Sequence, residues 1–271
     1  MTSYLEQFNY QLTGSEEGTK WVFLHGLMGY AANWRKVTSL LGQGHRILTY
    51  DQRGHGRSFK PETGYAPRDF AEDLFLITQE LGWDRFNLVG HSMGGRNAIS
   101  FAHLFSEKLN KLIIEDIGPE SDPAAVNYYI RLFDAIPTPF KNKLAAKEFF
   151  LNEFPKTSIY EPENPTLGVY LLSNMHDLTD GTIDWRFKKE HILATVKLGR
   201  ASDQWNDFRQ IPVDILVLRG EGSHYFPKEV YQKMLVANPR AKGQVIPHSG
   251  HWIHYDQPQL FTTAILNFAN N

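Results

Sequence analysis

The sequence predicts an α/β protein with a mostly parallel central sheet and one inserted helical segment. Three observations carry this. Short apolar runs alternate with amphipathic stretches along most of the chain, the pattern of repeated βαβ units. Each run is followed by Gly-, Asp- or His-rich turn chemistry, which is where open α/β sheets place their ligands. The alternation fails over one proline-rich stretch between about Ile117 and Phe208, then resumes.

In chain order, Trp21–Leu24, Ile47–Tyr50, Phe86–Val89, Leu112–Glu115 and Ile215–Leu218 read as buried strands, with another near Gln244–Ile246. Pro67–Leu81 reads as a helix because Phe70, Leu74, Ile77 and Leu81 recur at helical spacing. Pro67 suits its first turn and Gly82 its stop. The interrupting stretch carries Pro119, Pro123, Pro137, Pro139, Pro155, Pro162 and Pro165, and shows short helical patterns without a convincing strand. It is expected to be an all-helical cap over residues 118–208, set into a core built from 1–117 and 209–271. An amphipathic helix, Pro258–Ala269, ends the chain.

Composition narrows the function classes. Twenty-eight basic and 30 acidic residues in 271 give a net charge of −2, which offers no basic field for a phosphate backbone. No nucleic-acid partner is expected. No apolar run is long enough to span a bilayer, and the first residues lack the pattern of a signal peptide, so a cytoplasmic location is the expectation. Without cysteine there is no disulfide, thiol nucleophile or thiolate metal site. The oligomeric state is not readable from the sequence.

The strongest local signal is Gly90-His91-Ser92-Met93-Gly94, a G-x-S-x-G segment after the strand Phe86–Val89 and before a helix expected over Arg96–Phe105. A strand-to-helix turn this tight strains its central residue, and small residues on both sides avoid the clash. The strain lifts the Ser92 hydroxyl clear of the sheet. The helix start behind it brings backbone N–H groups beside any oxyanion that forms.

From here the chain resembles the α/β-hydrolase superfamily, nearly end to end. His25-Gly26-Leu27-Met28-Gly29 looks like that family's HGxxG oxyanion loop, and Asn33-Trp34 matches a frequent companion. Asp51-Gln52-Arg53-Gly54-His55-Gly56-Arg57-Ser58 looks like its D-x-R-G-H-G-x-S loop. Asp116-Ile117-Gly118-Pro119 and Trp185-Arg186-Phe187 extend the likeness to small, lid-bearing bacterial carboxylesterases. The resemblance implies the α/β-hydrolase fold and a serine esterase acting on small-molecule esters of short to medium acyl length, with no cofactor.

A serine nucleophile needs a base. His248, His251 and His254 recur at spacings of three, but Pro247 and Ser249-Gly250 oppose a helix that would gather them around a metal. Gly250-His251, after the last strand, matches the family's catalytic histidine; His254 is read as structural and His248 as solvent-facing. The acid departs from the common pattern, because Ser223 and His224 stand where the resemblance leads one to expect an aspartate. Asp116, at a strand end, and Glu221, in the usual turn, are the two substitutes. Asp116 is preferred because a strand-end carboxylate is rigidly held; its alternative role is to cap a helix.

Leu27 and Met93 are expected to supply the oxyanion-hole N–H groups. His25, Arg53, His55 and Arg57 are expected to brace loops, and His91 to pack beneath the elbow. Met28, Trp34, Tyr128 and Trp185 are candidate substrate contacts, alongside Tyr129 and Phe133. Two other functions stay open: another triad-bearing hydrolase of the fold, such as a C–C bond hydrolase or aminopeptidase, and a non-catalytic binding protein.

Overall fold

A computed structural model describes residues 3–162 and 164–271. Met1 and Thr2, within the stretch read for a signal peptide, and Glu163, within the predicted cap, lie outside it. Seven strands form one sheet in the order β1 (Tyr10–Gly14), β3 (His45–Tyr50), β2 (Thr19–Leu24), β4 (Phe86–His91), β5 (Leu109–Glu115), β8 (Asp214–Gly220), β9 (Ala241–Ile246). Only β1 runs antiparallel, against β3. This edge strand was not legible in the sequence because most of its residues are exposed and none is fully buried.

The period of two in the central strands sorts their side chains between two cores. Val22, Leu88, Leu112, Ile114, Ile215 and Val217 face one side. There they meet α2 (Pro67–Glu80), α3 (Met93–Leu104), α8 (Trp205–Gln210) and α9 (Lys228–Ala237) through Leu74, Ile99, Phe208 and Met234. Trp21, Phe23, Val89, Ile113, Leu216 and Leu218 face the other, under α1 (Arg35–Leu41) and α11 (Pro258–Ala269). Helix α3 starts at Met93, three residues before the expected Arg96, because Ser92 alone makes the turn.

Between β5 and β8 the chain forms α4 (Ala125–Ala135), α5 (Lys143–Glu148), α6 (Thr166–Ser173) and α7 (Lys189–Arg200) around a third apolar cluster. The all-helical expectation needs one correction. Two three-residue strands, β6 (Met175–Asp177) and β7 (Ile183–Trp185), pair as a hairpin. Strands this short have no periodicity to read, and Gly181, at φ +85°, makes the turn between them. The two ends of the segment are joined: Gln204 N–H donates to Pro119 O at 2.7 Å and Asp122 N–H to Arg200 O at 3.1 Å. Among the described residues no helix is long and apolar enough to cross a membrane.

Candidate active site

Strand order reverses between β2 and β4, so the loops after them part and leave a crevice at the carboxyl end of the sheet. Ser92 stands there at φ 52°, ψ −117°, a strained conformation for a residue with a side chain. Glycines make the turn possible. A Cβ at Gly90 would meet Gly94 O at 2.3 Å, and one at Gly94 would meet Leu24 O at 2.4 Å. The hydroxyl of Ser92 makes no hydrogen bond to a described residue, which is common in catalytic sites without substrate.

Asp116 directly follows β5 and is fully buried. Its Oδ2 lies 2.8 Å from His251 Nδ1, in the loop after β9. Oδ1 accepts from Gly220 N–H at 2.9 Å, and Oδ2 also accepts the Ser223 hydroxyl. No helix begins until α4, so Asp116 caps none. Glu221 is turned away and accepts from His248 N–H at 3.1 Å. Of the two candidate acids, the structure brings only Asp116 to His251.

With Nδ1 on Asp116, the Nε2 side of His251 is left for a small cavity that Ser92, Leu27, Met28 and Tyr128 also line. Burial pushes His251 down to about 3, with the charges of Arg200 and His254 adding to it, so the ring rests neutral. Burial pushes the Asp116 carboxyl up, while the Ser223 hydroxyl and Gly220 N–H pull it back toward the carboxylate.

The backbone N–H of Met93, first in α3, has no partner within the helix and projects beside Ser92. The Leu27 loop comes close because residue 26 lacks a side chain: a Cβ there would lie 2.6 Å from His91 Nδ1. Tyr170 donates its hydroxyl to Leu27 O at 2.7 Å, fixing that peptide. His25 braces the same loop. Its Nδ1–H donates to Gly26 O at 2.8 Å, and its Nε2 accepts from Gln52 N–H at 2.9 Å, with burial holding it neutral.

Nearby loops are pinned as their chemistry suggests, with one exception. Arg53 pairs with buried Asp73, and His55 contacts Arg53 O at 2.9 Å. Arg57 is exposed, and only its backbone N–H is held, by Asp51 at 2.8 Å. His91 packs under the elbow and donates from Nε2 to His251 O at 2.9 Å. His254 Nδ1 contacts buried Glu115 at 2.9 Å, and His248 is exposed. His91, Glu115 and His254 bring possible metal-ligating atoms within 4.8 Å of one another. Internal hydrogen bonds engage His91 Nε2, His254 Nδ1 and both Glu115 oxygens.

A larger cavity, of about 300 Å³, opens beside Ser92 and is lined by Leu27, Met93 and Tyr128 together with Tyr129, Arg200 and Tyr225. Three candidate substrate contacts are corrected here, the first being Phe133, which packs against Trp185 and Phe187 and lines neither cavity. Trp34 is wholly buried in the core between Phe23 and His254, and Trp185 stacks on Phe187 at 5.2 Å inside the inserted segment; neither lines either cavity. Large aromatics close gaps in any core, and composition alone does not show which face they take. Tyr225, whose ring lies 4.7 Å from that of His251, was not singled out in the sequence, although it follows the acid turn by only a few residues.

Residues 22–258 match the family model described as the alpha/beta hydrolase fold. The chain is 29% identical over 258 residues to the sn-1-specific diacylglycerol lipase ABHD11 of Mus musculus, covering 91% of this chain and 80% of that protein. It is 25% identical over 254 residues to the 2-(acetamidomethylene)succinate hydrolase of Mesorhizobium japonicum, covering 93% and 88%. Among solved structures, a marine microorganism esterase superposes with a TM-score of 0.80 at 28% identity, over 96% of this chain and 98% of that one. The strand order, the strained serine after β4 and these likenesses agree: this chain belongs to the alpha/beta hydrolase fold family.

Proposed function

We propose that this protein is a carboxylic ester hydrolase that works through an acyl-enzyme on Ser92. The observation that carries the reading is the Asp116–His251 pair, 2.8 Å apart, beside the cavity that Ser92 lines. Similarity to a lipase and to an esterase supports it. Ser92 Oγ attacks the ester carbonyl while His251 Nε2 takes its proton. The oxyanion faces the N–H groups of Leu27 and Met93. Collapse expels the alcohol, which recovers the proton from His251. Water, deprotonated by the same ring, then releases the acid. Asp116 holds the Nδ1–H tautomer and stabilises the transient imidazolium.

Residues 118–208 are read as a cap on the core formed by 1–117 and 209–271. It contributes Tyr128 and much of the wall of the 300 Å³ cavity, a volume suited to short and medium acyl chains. The test is active-site labelling with a fluorophosphonate, beside a series of p-nitrophenyl esters of rising acyl length, an amide and a thioester. Ser92 is expected to be the labelled residue, and Ser92→Ala to lower ester turnover by about 10³-fold or more. An unlabelled Ser92, or a variant retaining more than about 5% of turnover, overturns the mechanism.

A further inference from the structure

Two arginines line the cavity beside Ser92, and they differ in what occupies them. Arg96 is saturated. It donates to four backbone carbonyls, Gly199 at 2.8 Å, Gly118 at 3.0 Å, Glu120 at 2.8 Å and Ser202 at 2.9 Å. The guanidinium of Arg200, the last residue of α7, has neither a hydrogen bond nor an ion pair among the described residues. The hydroxyl of Tyr129, on the same wall, also lacks a partner among them. Two carboxylates border the cavity without pairing with Arg200: Asp122 is exposed, and Glu161 accepts the Tyr225 hydroxyl at 3.0 Å.

A partly buried cation without a partner among the described residues carries a desolvation cost, and the negative end of α7 offsets only part of it. A ligand that completes the pairing removes the penalty. Of the common anions, a carboxylate fits best. Its two oxygens match the planar fork of arginine, and a phenol held neutral by burial adds one more donor. Among the described residues, a doubly charged phosphate would find a single free cation here, with two carboxylates nearby. Arg200 lines the same cavity as Ser92, and its positive charge lowers the proton affinity of His251.

We propose that Arg200 and the Tyr129 hydroxyl receive a carboxylate carried by the substrate, making half-esters of small dicarboxylic acids the preferred class. The inference rests on the ester-hydrolase reading above. Ser92 and Arg200 share one cavity of about 300 Å³, so a single short acyl group reaches from the scissile carbonyl to the guanidinium.

The test compares kcat/KM for monoethyl adipate with that for ethyl hexanoate, and uses the ratio so that any effect of the variants on His251 cancels. Wild type is expected to prefer the half-ester, and Arg200→Gln to lower the ratio about 10- to 100-fold, the range for loss of a charge-assisted hydrogen bond. Arg200→Lys should recover part of it, and Tyr129→Phe should lower it several-fold. In parallel, calorimetry on Ser92→Ala is expected to show adipate binding that vanishes when Arg200→Gln is added. An unchanged ratio overturns the carboxylate site while leaving ester hydrolysis standing. Inert esters combined with Arg200-dependent adipate binding support the site and overturn the hydrolase reading. Inert esters without adipate binding overturn both.

Discussion

Ser223 donates its hydroxyl to Asp116, the carboxylate that holds His251. In the common form of the family that turn is expected to carry the acid itself. In this chain the carboxylate sits on the neighbouring strand, at the end of β5, and the turn after β8 supplies a hydrogen-bond donor to it.

The first prediction ranks three substitutions. Asp116→Asn is expected to reduce kcat by about 10³- to 10⁴-fold with little change in KM, because the amide permits the wrong imidazole tautomer. Ser223→Ala should cost about 3- to 10-fold, since Gly220 N–H still holds the carboxylate. Glu221→Gln should be nearly silent. Steady-state kinetics on purified variants checks the order, and a severe Glu221→Gln would place the acid in the turn after β8.

The second concerns pH. The base acts only when unprotonated, and burial lowers the proton affinity of His251, so the neutral ring persists below the ordinary histidine value of about 6.5. The acid limb of kcat/KM is therefore expected below that value. Arg200→Gln removes a nearby positive charge and should move the limb upward. A half-loss above pH 6.5 in the wild type would contradict the desolvated base.

The third concerns the oxyanion loop. Tyr170→Phe removes the anchor on the Leu27 carbonyl and so loosens the loop that carries the Leu27 N–H. The expected result is a fall of about 5- to 10-fold in kcat, a smaller change in KM, and a stability loss of about 1 kcal/mol. Equal effects on a substrate and on a ground-state inhibitor would make Tyr170 a packing residue only.

Much of this arrangement is local and therefore legible in the sequence. The parallel strands announce themselves as apolar runs, and the elbow by glycines flanking Ser92. The strand-end position of Asp116 is visible too, because the residue closes an apolar run. What is not legible depends on which surface an element turns inward. Trp34 and Tyr128 are both aromatics near motif or cap segments, yet Trp34 fills the core and Tyr128 lines the cavity. Arg200 looks like any basic residue in a helix's last turn. That its charge meets no partner among the described residues is a property of the folded neighbourhood, and no spacing encodes it. The β6–β7 hairpin stayed hidden because three-residue strands are shorter than the run of about four to eight residues over which alternation is read.

The hydrogen bonds from Gln204 to Pro119 and from Asp122 to Arg200, with Arg96 bonded to residues on both sides, bring the chain out of the sheet and back at one place. On the cap reading proposed above, the segment beyond that narrow neck is an appendix to the parallel sheet. It can lengthen, shorten or be exchanged for another without altering the register of β5 against β8. Chimaeras cut at 119–122 and 200–204 should therefore keep the Asp116–His251 pairing while acquiring the substrate wall of the donor.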